Sequence, residues 1–392
     1  MQEEKQLVPQ LRFSEFEGEW IMKKFRKIVD INPKNKELPN SFIYIDLESV
    51  NNGNLLKEER IFKVDAPSRA QRLLSKKDIL YQTVRPYQKN NYFFDKAEND
   101  YVASTGYAQI RTSNNSTSFL YQYIHTNYFV NKVLLRCTGT SYPAINSTDL
   151  SKIKVATPLL SEQQKIANFL TAIDKRIHTL EKKKTLLEQY KKGVMHKIFK
   201  QELRFKDDTS TLLSASDGKV FPEWEEKKLG EVLDYEQPTK YIVESTEYED
   251  SFKTPVLTAG KTFILGYTNE INNIYSDFPV IIFDDFTMAN QYVDFPFKVK
   301  SSAMKILKND LNKSSISFVF SAIQMINYPK GDEHKRFWIS EYSKIKIPFP
   351  SLKEQTKIAN FLSSIDKNIA LVTKKIEHTK TYKKGLLQQM FV

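Results

Sequence analysis

The residues able to do covalent chemistry stand at spacings that do not let them. The five histidines, His125, His178, His196, His334 and His378, form no ligand or triad spacing. Cys137 is the single cysteine, which excludes an internal disulfide and any multi-cysteine zinc site. A metal-dependent nuclease needs clustered carboxylates with a lysine. Glu181-x-Lys183 and Glu225-x-Lys227 have that spacing, but both lie in segments that recur in the chain and read as scaffold. Methyl transfer from S-adenosylmethionine would need a glycine-rich turn and an Asn/Asp-Pro-Pro-aromatic tetrapeptide; Asn32-Pro33-Lys34 is not one. There is no P-loop, and 11 glycines leave little to build such turns from. The expectation is a chain with no catalytic residue and no metal site.

Recognition chemistry is better represented. The stretch from Lys76 to Asn91 mixes Arg85, Tyr87, Lys89 and Asn90 with glutamines and aromatics on a strand-to-loop transition. Arginine suits guanine, asparagine and glutamine suit adenine, and lysine suits phosphate. Thr258–Thr262, with Lys261 and Thr262, and His334–Trp338, with Lys335, Arg336 and Trp338, have the same character further on. The competing reading is that a polar, aromatic loop is only a loop.

The elements that must position these residues come from an internal repeat. Residues 153–199 and 345–391 align without a gap at an offset of 192, with 23 identities in 47 positions. A fainter pair precedes them: Leu11-Arg12-Phe13 recurs as Leu203-Arg204-Phe205, and Glu19-Trp20 as Glu223-Trp224. Between the repeated pieces, roughly 31–150 and 235–343 are unlike each other, rich in β-branched and aromatic runs broken by turn residues. Strands are expected at Phe42–Asp46, Asp78–Val84, Tyr92–Asp95 and Tyr107–Arg111. In the second block they are expected at Thr254–Thr258, Thr262–Tyr267, Val280–Asp284 and Ser302–Leu307.

The shared block reads as a long helix entered after Pro158 or Pro350, with capping patterns at Ser161-x-x-Gln164 and Ser351-x-x-Glu354. Apolar residues repeat at seven: Ile166, Leu170, Ile173, Ile177 and Leu180 in one copy, Ile358, Leu362, Ile365, Ile369 and Val372 in the other. That is a coiled-coil seam, interrupted by Lys184, Lys191, Thr379 and Lys383. Gly193 and Gly385 should weaken its last turns. Two matching helices tethered in one chain are expected to pair with each other, antiparallel if a pseudo-two-fold axis relates the halves. Pairing between molecules is the alternative.

The chain carries 59 Lys+Arg against 47 Asp+Glu, a net charge of +12. Residues 161–200 and 351–392 together hold +11 of it. A solvated lysine-rich helix face and a basic rod beside DNA phosphates both account for this. Met1–Lys5 lacks a signal-peptide start, and the best apolar run, Val280–Phe283, is far short of the ~18 residues of a membrane span. A cytoplasmic protein is expected.

At the repeated P-x2-x-E-Q-x-K-I-A-N-F-L-x2-I-D-K block the sequence resembles the specificity subunits of bacterial type I restriction–modification enzymes. Glu162-Gln163-x-Lys165-Ile166-Ala167 and Glu354-Gln355-x-Lys357-Ile358-Ala359 carry the resemblance, and the alternation of variable block and helix extends it over the whole chain. Ser68-Arg69-Ala70, Ser104-Thr105-Gly106-Tyr107 and Val84-Arg85-Pro86-Tyr87 are similar to stretches of that family's target-recognition domains. The resemblance thus adds Arg69, Thr105 and Tyr107 to the candidate DNA contacts.

It implies an α/β (α+β) chain with two target-recognition domains, 1–157 and 203–349, followed by helices at 158–202 and 350–392. Each domain would read one half of a split sequence in double-stranded DNA, with the helices setting the unread gap. It also implies two modification subunits that bind S-adenosylmethionine and methylate adenine, and restriction subunits that use ATP with magnesium. This chain would bind neither cofactor. The loops before the two helices differ (Gly139-Thr140-Ser141-Tyr142-Pro143 against Gly331-Asp332-Glu333-His334-Lys335), so base contacts do not transfer from one half to the other. The rivals are a coiled-coil adaptor with peptide- or RNA-binding domains, and a self-sufficient nuclease or methyltransferase.

Overall fold

A computed structural model describes residues 6–34, 37–98, 100–206, 212–214, 221–258, 262–327 and 337–392. The chain forms two compact units, Met1–Lys182 with Thr373–Val392, and Lys183–Val372. The division cuts both long helices, the central helix Leu160–Phe199 and the C-terminal helix Leu352–Gln389. Each unit therefore holds one mixed α/β domain and a part of each helix.

The first unit is built around Ile79–Gln82, a strand whose four residues are all buried. Alternation explains why. Ile79 and Tyr81 enter the core shared with the helices, while Leu80 points into a smaller core with Tyr107 and Phe94. The strand lies inside an antiparallel sheet ordered Val29–Ile31, Tyr107–Thr112, Ile79–Gln82, Tyr92–Phe93. The smaller core also takes residues from a second, mixed sheet of Glu59–Phe62, Ser41–Ile45, Tyr101–Ser104 and Ala70–Leu73. Helices Thr117–Tyr123, Asn127–Leu134 and Ser147–Lys152 close the other face. Ser116, Thr126 and Asn146 cap them by accepting the N–H of Phe119, Phe129 and Asp149, each cap being worth about 1 kcal/mol.

The second unit repeats the plan. Val280–Asp284 sits in a sheet ordered Asp234–Glu236, Met304–Lys308, Val280–Asp284, Asn290–Val293. Ile281 and Phe283 face the helix-side core, Val280 and Ile282 the other. A three-stranded sheet of Ile264–Thr268, Thr254–Leu257 and Lys298–Val299 stands where the first unit has four strands, and Ser315 caps the helix Ile316–Ile323. All eight strands expected from the sequence are present, with ends displaced by up to two residues. The lead-in repeat is a strand as well: Ile21–Lys24 pairs with Lys154–Thr157, and Glu225–Lys228 with Lys346–Phe349, just ahead of each helix.

The Glu-Gln motif at each helix start fastens the domain to the helix. Buried Glu162 receives Arg12 through two 2.8 Å hydrogen bonds and the Trp20 indole N–H at 3.3 Å. Glu354 receives Arg204 at 3.2 and 2.9 Å and the Trp224 indole at 2.9 Å. Gln163 accepts the Ser116 N–H and donates to the Pro158 carbonyl; Gln355 does the same with Ser315 and Pro350. The expected capping boxes are corrected by this arrangement. Ser161 lies inside its helix, and although Ser351 accepts the Glu354 N–H, the Glu354 carboxylate is committed to Arg204.

The two helices pair within the chain. In the first unit Ile166 and Leu170 share a core with Leu386, Met390 and Phe391, with Ile173 against it; Ile177 is buried and Leu180 half-buried. Asp174 meets Lys383 and Glu181 meets Lys380, so the run is antiparallel. In the second unit Ile358, Leu362 and Ile365 pack with Val194, Met195 and Ile198, flanked by Ile369, while Val372 is also buried. Here Lys191 meets Asp366. Two of the lysines that interrupt the heptads are thus paired with aspartate on the opposite helix. Both helices run unbroken through Gly193 and Gly385, around which the space is open.

Candidate nucleic-acid interface

In the first unit four loops are tied together at the C-terminal end of Ile79–Gln82. The turn after Tyr101–Ser104 is held on one side by Thr105 N–H to the Arg69 carbonyl (2.9 Å) and on the other by Thr83, whose hydroxyl and N–H both reach the Gly106 carbonyl. Two residues on, the Arg85 N–H donates to the Pro143 carbonyl at 2.7 Å, drawing in the 138–144 hairpin. Arg69, Thr105, Arg85 and Tyr87, distant in sequence, therefore share one end of the domain.

The 83–91 loop is fixed by its own polar groups. Arg85 and Lys89 both adopt left-handed backbone and bracket a single turn, Pro86–Gln88. Gln82 donates to Gln88 at 2.8 Å and accepts the Asn90 N–H at 3.1 Å, while Asn91 accepts the Gln82 N–H. Asn90 also accepts the N–H of Asn52, in the tight Asn52-Gly53 turn. The Lys89 ammonium donates to the His125 carbonyl at 2.9 Å, and burial pushes its pKa below the ordinary lysine value. His125 itself is held neutral, its pKa lowered to about 4 by burial; its Nδ1 is 2.6 Å from the Tyr121 carbonyl. The loop exposes Tyr87, 49% accessible, and Gln88, while half-buried Arg85 holds its guanidinium beside Tyr142.

Two of the candidate contacts are corrected by their burial. Tyr107 is fully buried, its hydroxyl donating to the Asp46 carbonyl, and Trp338 is 2% exposed against Phe283. Neither presents a ring face to a ligand; both are large apolar side chains used as core. Lys89 and Asn90 are spent on holding the loop. Thr262 is exposed beside a hairpin closed by Thr258 N–H to the Phe263 carbonyl. Lys261, Lys335 and Arg336 lie outside the described residues.

The corresponding loop of the second unit, leaving Val280–Asp284, is shorter and carries no cation. It presents Phe286, 46% exposed, with Asp284 capping the N–H groups of Phe286 and Thr287. Sequence reasoning missed Phe286 and Tyr142. Phe286 lies in the block where the two halves are unlike, so only the matching sheet orders show that its loop follows the strand corresponding to Ile79–Gln82. Tyr142 had no signal either, because its partner is fifty-seven residues away. A second polar surface, a cleft of about 780 Å³, opens at the other end of Ile79–Gln82, lined by Lys76, Lys77, Arg111 and Asn115 among others. Its arginine is already bound by buried Asp78.

Residues 19–189 and 222–380 each match the type I restriction modification DNA specificity domain, one match in each half of the chain. The chain belongs to the type I restriction–modification specificity family. This specificity chain is 49% identical over 164 residues to the EcoR124I/EcoR124II specificity subunit of Escherichia coli, spanning 39% of this chain and 40% of that one. It is 26% identical over 278 residues to the MjaVIII specificity subunit of Methanocaldococcus jannaschii, 64% of each. The alignments thus cover less than two thirds of these relatives. The fold is that of the type I S subunit from M. genitalium, with a TM-score of 0.65 at 16% identity over 98% of this chain and 99% of that one. A chain from a structure of type I complex assembly aligns with a TM-score of 0.52 at 17% identity, covering 95% and 97%. Among the described residues, no helix of the specificity chain is long and apolar enough to cross a membrane, and no cluster of His, Cys, Asp and Glu could hold a metal ion.

Proposed function

We propose that this chain is the subunit that gives a type I restriction–modification complex its DNA sequence, each unit reading one half of a split target. The observation that carries the reading is a family domain present twice on one scaffold, with different side chains on the matching loop: Arg85 and Tyr87 in the first unit, Phe286 in the second. Like scaffolds with unlike loops suit two unlike half-sites. Arg69, Arg85, Tyr87 and Thr105 are the contacts assigned to the first half, Thr262 and Phe286 to the second. An arginine or threonine at a base edge reads hydrogen-bonding groups, whereas an exposed phenylalanine reads a thymine methyl.

Chemistry belongs to the partners in this reading. Two modification subunits bind S-adenosylmethionine and methylate adenine, restriction subunits use ATP with magnesium to cut, and this chain binds neither cofactor. The complex works on chromosomal and phage DNA in the bacterial cytoplasm.

Single-molecule methylation sequencing of a host with and without the gene tests the proposal. The expected result is loss of one split motif of methylated adenines. An unchanged methylome, in cells that express the chain and its modification partner, would overturn it in favour of the adaptor reading.

A further inference from the structure

The Arg85 guanidinium is mounted rather than free. Its carbon lies 4.1 Å from the centre of the Tyr142 ring. Its Nε is buried with no hydrogen-bond partner, and no other hydrogen bond or ion pair reaches the group among the described residues. The terminal nitrogens are thus the donors left for a ligand. Main-chain bonds hold the arginine from both sides: its N–H donates to the Pro143 carbonyl, and its carbonyl accepts the Gln88 N–H at 3.0 Å. With φ 52° and ψ 54° it occupies a conformation that costs a non-glycine residue energy and persists only where the surroundings enforce it.

Tyr142 is mounted with equal care. It is 64% exposed, a position where a tyrosine contributes little to a core. It stands in a hairpin closed by reciprocal bonds between Thr138 and Ala144, 2.9 and 3.0 Å. Gly139 makes that turn with φ +88°, and a Cβ there would come within 3.1 Å of the Tyr142 carbonyl. An exposed ring under a planar, unpartnered, two-pronged donor has the form of a reading head. A guanidinium lying over a ring is restrained in its orientation, and the free prongs match the O6 and N7 acceptors that only guanine offers in the major groove.

We propose that Arg85 reads one guanine of the half-site recognised by the first unit, and that Tyr142 is the positioning residue that sets its plane. The proposal rests on the reading of this chain as a DNA-specificity subunit. It is tested in the full complex in its host by methylation sequencing, with competition binding to duplexes that change one base pair at a time.

Wild type first supplies the split motif; if it supplies none, the functional reading fails and this inference with it. Given a motif, Arg85→Ala and Arg85→Lys should each relax one G·C position of one half-site by about 10-fold or more, leaving the other half-site strict. The strict half-site shows that the variants fold and assemble. Tyr142→Ala should relax the same position, roughly 3-fold to 10-fold, and Tyr142→Phe should retain discrimination because the stacking face survives. A uniform loss of affinity for every duplex on Arg85→Ala would make it a phosphate contact and overturn the proposal. So would relaxation at an A·T pair, unchanged specificity in both Arg85 variants, or a Tyr142→Ala protein as strict as wild type.

Discussion

Glu162 and Glu354 show how a single side chain can join a domain to a helix. Each carboxylate is out of water and survives there because an arginine fork and an indole N–H surround it. Removing one member of such a group costs more than the group gains by forming, since a buried charge is left without compensation. Glu354→Gln keeps the shape and deletes the charge that Arg204 needs. Urea unfolding should show a loss of about 3 kcal/mol, and amide exchange should quicken in residues 221–258 rather than in the first unit. A loss below about 1 kcal/mol would mean that Arg204 finds water instead, and that the pair is no fastening.

At the scale of elements, the two helices use charge where their apolar seam lapses. Lys383 is mostly covered and lies 2.6 Å from Asp174, which also accepts the Gln122 amide. The matching pair in the second unit, Lys191 with Asp366, is more open to solvent. A lysine at a heptad position weakens a seam unless it reaches an opposite charge, so these pairs specify the antiparallel register as much as they add stability. A double-mutant cycle with Asp174→Asn and Lys383→Met should give a coupling of roughly 1 kcal/mol, with a smaller value for Asp366 and Lys191. Equal and negligible couplings in both pairs would show that the apolar positions alone fix the register.

For the whole molecule, the telling residue stands just past the C-terminal helix. Phe391 packs on Trp20, Phe119 and Tyr123, so the first unit completes its core with a residue from the far half of the sequence. The repeat places Phe199 in the same role against Trp224 and Phe318. Phe391→Ala should destabilise the first unit by about 3–5 kcal/mol, seen as protease cleavage within residues 6–182 while 221–327 stay protected. Simultaneous exposure of both segments would show instead that the two units unfold as one.

The sequence by itself determined the repeat, the long helices with their apolar positions, the buried strands and the absence of catalytic patterns. All of these depend on local periodicity or on likeness between segments of one chain, which need no folding to be visible. Tertiary structure decided which polar and aromatic residues are available. Tyr107 and Trp338 read as ligands beside Arg85 and Tyr87, because side-chain type is the same in a core as on a surface; only packing separated them. It also decided what the Glu-Gln motif is for, since the partners of Glu162 lie about 150 residues upstream. Arg85 was legible as a cation in a loop. That Tyr142 lies beneath it was not, because the two meet only through main-chain bonds that join separate loops, and no spacing along the chain encodes such a contact.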